Sequence, residues 1–182
     1  MELLPTSISG LKLIKPKVFG DERGYFFESF HKEKYAALGI DLEFVQDNRS
    51  SSTKGVLRGL HFQKNYPQGK LMMVTSGEVL DVAVDLRKNS ETFGQFETVV
   101  LSGENKLQFY IPPGFAHGFM VLSDTAEFQY KCTDFYHPED EGGIIWNDAE
   151  LNIPWPDDAV TLSEKDKKLP GFAAIKDQIN FR

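Results

Sequence analysis

The stretch Val56-Leu57-Arg58-Gly59-Leu60-His61-Phe62-Gln63 and a second one, Ile111-Pro112-Pro113-Gly114-Phe115-Ala116-His117-Gly118-Phe119, decide how this chain is read. Strict alternation along the first places Arg58 and His61 on opposite faces of a strand. A bend or bulge at Gly59 would bring them to the same face, and one is predicted there. The two stretches contribute two imidazoles, His61 and His117, and the residues that follow the first are Gln63, Gln68 and Lys70 rather than carboxylates. Two imidazoles with a lysine nearby and no acid suit a divalent metal poorly. They suit proton transfer.

Short runs of β-forming residues broken by Gly, Pro and Asn fill the chain from residue 10 to about residue 136. Glu78–Leu86 alternates cleanly, with Leu80, Val82, Val84 and Leu86 on one face and Asp81 and Asp85 on the other. Phe96–Leu101 and Leu107–Ile111 read as strands joined by the turn Ser102-Gly103-Glu104-Asn105. In Ala126–Cys132 the residues Ala126, Phe128, Tyr130 and Cys132 share an apolar face that is expected to point into the core. His31–Leu38 reads as a short helix ended by Gly39, and residues 163–169 as another, with Ser163 as N-cap and Asp166 three residues on. Many short strands, regular turns and few helices predict an all-β sandwich or barrel.

The chain has 182 residues, enough for one domain with a substantial core. Its 41% hydrophobic and 26% charged content is that of a soluble globular protein. No apolar run approaches the ~20 residues of a membrane span, and no basic stretch leading into an apolar one opens the chain. A membrane partner is therefore not expected. A single cysteine, Cys132, excludes an intrachain disulfide and fits a reducing cytoplasm. The net charge of −7 argues against nucleic acid as a partner, although a local group of arginines can still receive a phosphorylated ligand. The 13% aromatic content, with 15 Phe, suits a ring-lined barrel.

The two histidine-bearing stretches resemble the paired motifs of a cupin barrel, G-x5-H-x-H with a following Glu, and P-x-G-x-x-H. Gly55 and His61 keep the first spacing and Pro112 to His117 the second, while Gln63 stands at the second histidine and Gln68 and Lys70 fall where the Glu would be. The fold this implies is a cupin-type double-stranded β-helix (jelly roll) with a few short peripheral helices. It would form one domain over 1–182: N-terminal strands and a short helix over 1–50, a barrel core over 51–136 and a C-terminal extension over 137–182.

A closer resemblance runs in order through Arg23 to Glu28, Gln46 to Asn48, Val56 to Gln63, Gln68 to Lys70, Pro112 to Phe119, Phe128 to Cys132, Gly143 to Asp148, Ile153 to Pro156 and Ser163 to Asp166. It is to the dTDP-4-dehydrorhamnose 3,5-epimerase family. That family's reaction, as the resemblance implies it, is cofactor-free inversion of C3 and C5 of dTDP-4-dehydro-6-deoxy-D-glucose through enolates. Such chemistry needs a base, an acid on the opposite face and a group to hold the enolate oxygen.

The resemblance implies His61 as base, oriented by Asp166, with Tyr130 as acid and Lys70 holding the enolate oxygen. It also implies substrate contacts from Arg23, Phe26, Glu28, Gln46, Asn48, Arg58, His117, Glu141 and Lys165. Of these, Arg23, Arg58 and Lys165 would meet the diphosphate and Phe26 would stack on the thymine. Taken singly these residues have plainer readings: a barrel histidine, a core tyrosine, a solvated lysine and a helix-capping aspartate. Asp81 or Asp85 is an expected partner for Lys70. The resemblance further implies a homodimer in which the segment around Arg23 to Glu28 reaches into the partner's site. Three other readings stand beside it: a single-carbon epimerase, a metal-dependent cupin oxygenase and a non-catalytic sugar-nucleotide binder.

Overall fold

The computed structural model describes residues 1–156 and 159–181. Thirteen strands and two short helices follow in the order β1 Glu2–Leu4, β2 Lys12–Lys15, β3 Phe19–Asp21, β4 Gly24–Phe26, α1 Lys32–Ala37, β5 Gln46–Thr53, β6 Leu57–Gln63, β7 Lys70–Ser76, β8 Glu78–Asp85, β9 Phe96–Ser102, β10 Gln108–Ile111, β11 Phe115–Val121, β12 Thr125–Cys132, β13 Glu141–Gly143 and α2 Phe172–Ile175. One sheet has the order β1-β2-β10-β7-β12-β5 and the other β13-β6-β11-β8-β9, while β3 and β4 pair only with each other. Every strand pairing in the three sheets is antiparallel.

The two large sheets face one another across an apolar core. Met72, Val74, Phe109 and Phe128 of the first sheet meet Val79, Ala83, Leu101 and Phe119 of the second. The Phe119 and Phe128 rings stack at 4.2 Å between centroids. Removing a ring as deeply buried as Phe109 or Phe128 would cost about 3–5 kcal/mol.

Both sheets are also covered on their outer faces. Helix α1 places Tyr35 over Ile14, Leu71 and Tyr110 of the first sheet. The C-terminal segment lays Ile144, Leu151, Ile153, Phe172 and Ile179 over the second. This double coverage explains why β11 is buried at every position. It also settles the two faces of β8. Val82, Val84 and Leu86 pack outward beneath the C-terminal segment, while Val79, Asp81 and Ala83 face the barrel interior. The aliphatic stripe is thus the outer one, and a carboxylate points inward.

The expected helix at residues 31–38 is α1, with His31 at its N-cap and Leu38 at its C-cap. The expected helix over 163–169 is shorter, a single 3₁₀ turn at Asp166–Lys168 that Pro170 keeps from extending. The Ser163 hydroxyl accepts from the Asp166 N–H at 3.1 Å, so the capping interaction is present without the longer helix. The inward face foreseen for β12 is also present: Ala126, Phe128 and Cys132 are buried and Tyr130 packs beside them.

Candidate active site

The site forms at one end of the barrel, where β5, β6, β7, β11 and β12 present polar side chains to the interior. β5 is an all-polar strand, Gln46-Asp47-Asn48-Arg49-Ser50-Ser51-Ser52-Thr53, and its alternation is kept. Gln46, Asn48, Ser50 and Ser52 turn in, while Asp47, Arg49, Ser51 and Thr53 are exposed. Register then places Asn48 beside Tyr130 and Gln46 beside Cys132. Across the other sheet, His61 of β6 stands opposite His117 of β11.

The conflict between Arg58 and His61 is resolved as expected. The β6–β11 register shifts between His117 and Phe119, so that three steps on β6 oppose two on β11. Gly59 lies in the shift with φ +125°, and a Cβ there would sit 2.5 Å from Gly118 Cα and 2.8 Å from the His117 carbonyl oxygen. Only glycine suits that backbone and that approach. With the extra residue absorbed, Arg58 and His61 line one cavity, and the Ser52 hydroxyl holds the Arg58 guanidinium at 3.0 Å.

That cavity has two lobes, of about 270 and 280 Å³, which share His61, Lys70 and Tyr130. Together they have the size of a small-ligand site. The first lobe is lined further by Gln46, Asn48, Tyr136 and Glu141, the second by Arg58, His117 and Asp166.

His61 Nε2 lies 2.6 Å from Asp166 Oδ1, and Asp166 is 3% exposed. Burial raises the Asp166 carboxyl, but the hydrogen bond and charge of His61, with the Ser163 hydroxyl, outweigh it and hold the group below the usual carboxylate range. An ionised Asp166 fixes the imidazole with its proton on Nε2 and leaves Nδ1 free as a base. Nδ1 faces Glu141 Oε1 at 3.7 Å. Glu141 Oε2 in turn accepts from the Tyr136 hydroxyl at 2.6 Å and pairs with Lys165. Burial raises Glu141, and the bonds from Lys165 and Tyr136 more than reverse that.

Lys70 projects inward from the first position of β7, on the same face as Met72 and Val74. Its ammonium lies 5.8 Å from the Tyr130 ring centroid. Burial pulls it below the ordinary lysine value, against the opposing pull of charges that include Asp81 and Glu141. Burial likewise pushes the Tyr130 phenol up to about 12, so it keeps its proton throughout the neutral range. His117 is 8% exposed and its Nε2 lies 3.0 Å from Asp81 Oδ2. Burial lowers this imidazole despite Asp81, which keeps it neutral.

Two expectations are corrected here. Asp81 bonds His117 rather than Lys70 and acts on the lysine only through its charge. Asp85 is fully committed to Arg87, at 2.7 and 2.9 Å, and to the Ser90 and Thr92 hydroxyls. The plainer reading of Asp166 as a capping carboxylate is also set aside, since its main-chain N–H is capped by Ser163 while its carboxylate turns to His61.

Of the expected site residues, His61, Tyr130, Lys70, Asp166, Gln46, Asn48, Arg58, His117 and Glu141 meet in the cavity, and Lys165 stands at its edge on Glu141. Arg23, Phe26 and Glu28 do not join them. Arg23 and Phe26 lie in a separate hollow on the β3–β4 hairpin, with Arg23 paired to Asp21, and Glu28 pairs with Lys34. Sequence reasoning missed Tyr136 as a cavity residue, while Gln63 and Gln68, which it placed at ligand positions of the cupin motifs without a role in the site, also line the first lobe. The run Phe135-Tyr136-His137, which begins three residues past the end of β12, was the available signal for Tyr136. Among the described residues, no group of three or more His, Cys, Asp or Glu is placed to hold a metal ion.

Comparison with known proteins agrees with this geometry. The family model for dTDP-4-dehydrorhamnose 3,5-epimerase matches residues 5–174. The dTDP-4-dehydrorhamnose 3,5-epimerase of Pseudomonas aeruginosa is 55% identical over 175 residues, covering 95% of this chain and 97% of the relative. That of Escherichia coli is 53% identical, covering 93% of each. The crystal structure of the Legionella pneumophila dTDP-6-deoxy-D-glucose-3,5-epimerase, in complex with dTDP-4-keto-L-rhamnose, superposes with a TM-score of 0.96 at 55% identity, covering 100% of this chain and 97% of the other. With the cupin barrel, the His61–Asp166 pair and the converging Lys70 and Tyr130 in place, the chain belongs to the dTDP-4-dehydrorhamnose 3,5-epimerase family.

Proposed function

We propose that this protein converts dTDP-4-dehydro-6-deoxy-α-D-glucose to dTDP-4-dehydro-β-L-rhamnose by inverting C3 and C5. The observation that carries the reading is the convergence of His61, Lys70 and Tyr130 on one cavity, with Asp166 behind the histidine. His61 Nδ1 takes the proton from a carbon next to the C4 ketone, and the electron pair moves onto the carbonyl oxygen as an enolate. Lys70 stabilises that oxygen, a task worth about 10²–10³-fold for one well-placed donor. Tyr130 then returns a proton to the opposite face of the same carbon, and general acid–base catalysis of this kind contributes roughly 10²–10⁴-fold. The phenol recovers its proton from solvent and the imidazolium loses its own, so the net change is an isomerisation.

Arg58 and Lys165 suit the diphosphate, and Gln46, Asn48, His117 and Glu141 suit the sugar and base. Arg23, Phe26 and Glu28 act on a partner's site in a homodimer. What supports this is their distance from the cavity of their own chain and the 85% exposure of the Arg23 side chain. Activity that falls on dilution to monomers is the expected result, and a fully active monomer would remove the dimer from the account. The place of action is the cytoplasm, where the product feeds dTDP-L-rhamnose and polysaccharide synthesis.

The test is incubation with dTDP-4-dehydro-6-deoxy-D-glucose in D₂O, followed by NMR of the sugar protons. Loss of both the C3 and C5 signals supports the double epimerase. Exchange at one carbon alone makes the protein a single-site epimerase, and exchange at neither overturns the reading.

A further inference from the structure

Four consecutive residues at the cavity mouth, Asp134-Phe135-Tyr136-His137, have a main-chain group held by a glutamine side chain. Gln68 Nε2 donates to the Asp134 carbonyl at 2.8 Å. Gln63 Nε2 donates to the Phe135 carbonyl at 3.1 Å, and its Oε1 accepts from the His137 N–H at 2.7 Å. Gln46 Oε1 accepts from the Tyr136 N–H at 2.9 Å. Gln63 Nε2 also donates to the Tyr66 carbonyl at 2.6 Å, which ties the loop after β6 to the segment after β12. The Tyr66 and His137 rings stack at 4.1 Å on top of this tie. Gln63 is 4% exposed, and its oxygen and its nitrogen are both spent on backbone.

We propose that Gln46, Gln63 and Gln68 form a clamp that fixes residues 134–137 and, through them, the position of Tyr136 at the rim. They are positioning residues for nucleotide-sugar affinity. A segment after a strand's end has no ladder of its own, and these amides supply the donors and acceptors that a neighbouring strand would otherwise provide. Being neutral amides, they hold the rim without adding charge near His61 and Lys70. Tyr136 carries the consequence, because its hydroxyl meets Glu141 and its ring lines the first lobe. Glu141 keeps its second tie, to Lys165, when Tyr136 moves. The environment of the His61 base is therefore retained while the rim loosens, and the clamp acts on KM more than on kcat.

Gln63→Glu tests this in the full-length protein. The ionised carboxylate can still accept from His137 but faces the Tyr66 and Phe135 carbonyls with no hydrogen to give them. Once protonated, it regains one donor. Relative to wild type at the same pH, KM for the dTDP-4-dehydro sugar and Kd for dTDP are expected to rise roughly 10-fold at pH 8, with kcat within about 3-fold. Both ratios are expected to return toward one as the pH is lowered and the new carboxyl takes up its proton. Amide hydrogen exchange at residues 134–137 is expected to accelerate at pH 8 with the barrel strands unchanged. Because the Gln63→Glu carboxylate also puts a charge in the lobe that holds His61 and Lys70, the uncharged Gln68→Ala is measured beside it. It removes the single bond to Asp134 and is expected to raise both constants about 3-fold and speed exchange at the same residues, and a Gln68→Ala that changes neither would overturn the clamp.

The kinetic arm rests on the epimerase reading, and the exchange arm does not. Wild-type protein that fails to turn over the sugar therefore counts against that reading alone. Unchanged exchange at 134–137, a fall in kcat with KM unaltered, or a KM ratio that stays constant with pH would each overturn the clamp.

Discussion

Replacing Asp166 with Asn removes one charge from behind His61, the proposed base, and changes little else in volume. The bond it alters is short, 2.6 Å, and the carboxylate is 3% exposed, so solvent cannot substitute for it. A hydrogen bond to a charged group contributes about 1.5–3 kcal/mol. All of that acts when His61 carries the abstracted proton, because an imidazolium beside a carboxylate is stabilised and an imidazolium beside an amide is not. At 1.36 kcal/mol per factor of ten, kcat should fall about 10- to 150-fold from this cause. A second cause adds to it. The amide can turn its NH₂ toward Nε2 and draw the imidazole proton to Nδ1, where His61 can no longer accept; a wrong tautomer of this kind costs about 10⁴ in the serine-protease triad.

The expected total for Asp166→Asn is therefore a loss of between about 10² and 10⁴ in kcat, with KM nearly unchanged. Initial rates by NMR measure both constants. Stability gives an independent check on the cause. Because the folded carboxyl lies below its ordinary value, its contribution to stability is present above about pH 4 and is lost as pH falls through the folded value. The difference in urea midpoint between wild type and Asp166→Asn should accordingly be largest near neutrality and shrink in acid. A variant with kcat within 3-fold of wild type, or one impaired only in KM, would refute this role for Asp166.

Two further substitutions probe the frame and the cation. Gly59→Ala must relieve backbone contacts at 2.5 and 2.8 Å and hold a side chain at φ +125°, which costs at least about 1–3 kcal/mol. Its urea midpoint should drop and its turnover should fall with it, since the bulge is what turns Arg58 and His61 to one cavity; an unperturbed midpoint would contradict that geometry. Burial lowers Lys70, so its ammonium loses its proton below the pH at which an ordinary lysine does, and activity should show an alkaline limb beneath about 10.4. Lys70→Met should lose about 10²–10³-fold in kcat, and Lys70→Arg should move any surviving activity's alkaline limb upward. Tyr130, at about 12, adds no limb in that range, so a limb that persists unmoved in Lys70→Arg would take the cation role from Lys70.

Much of this was legible in the sequence because it rests on local pattern. The faces of β8 and β12 follow from period-two alternation, and the bulge at Gly59 followed from a conflict between that period and the two side chains a site would need. The partner of Asp81 was not legible. Alternation put the residue on the correct face, but whether it meets Lys70 or His117 depends on the packing of β8 beside β11. The inward direction of Asp81 was hidden for a related reason, since the aliphatic face of β8 is buried by a C-terminal segment far along the chain. The partners of Gln46, Gln63 and Gln68 were the least visible of all. Their bonds go to main-chain groups, which carry no sequence signal of their own, across separations of up to 90 residues.

The most direct test of the account separates the base from the acid. In D₂O, Tyr130→Phe should still exchange the substrate's C3 and C5 protons through His61 while forming little inverted product, and His61→Asn should do neither. Deuterium entering at wild-type rate in His61→Asn would contradict the assignment of His61 as the base.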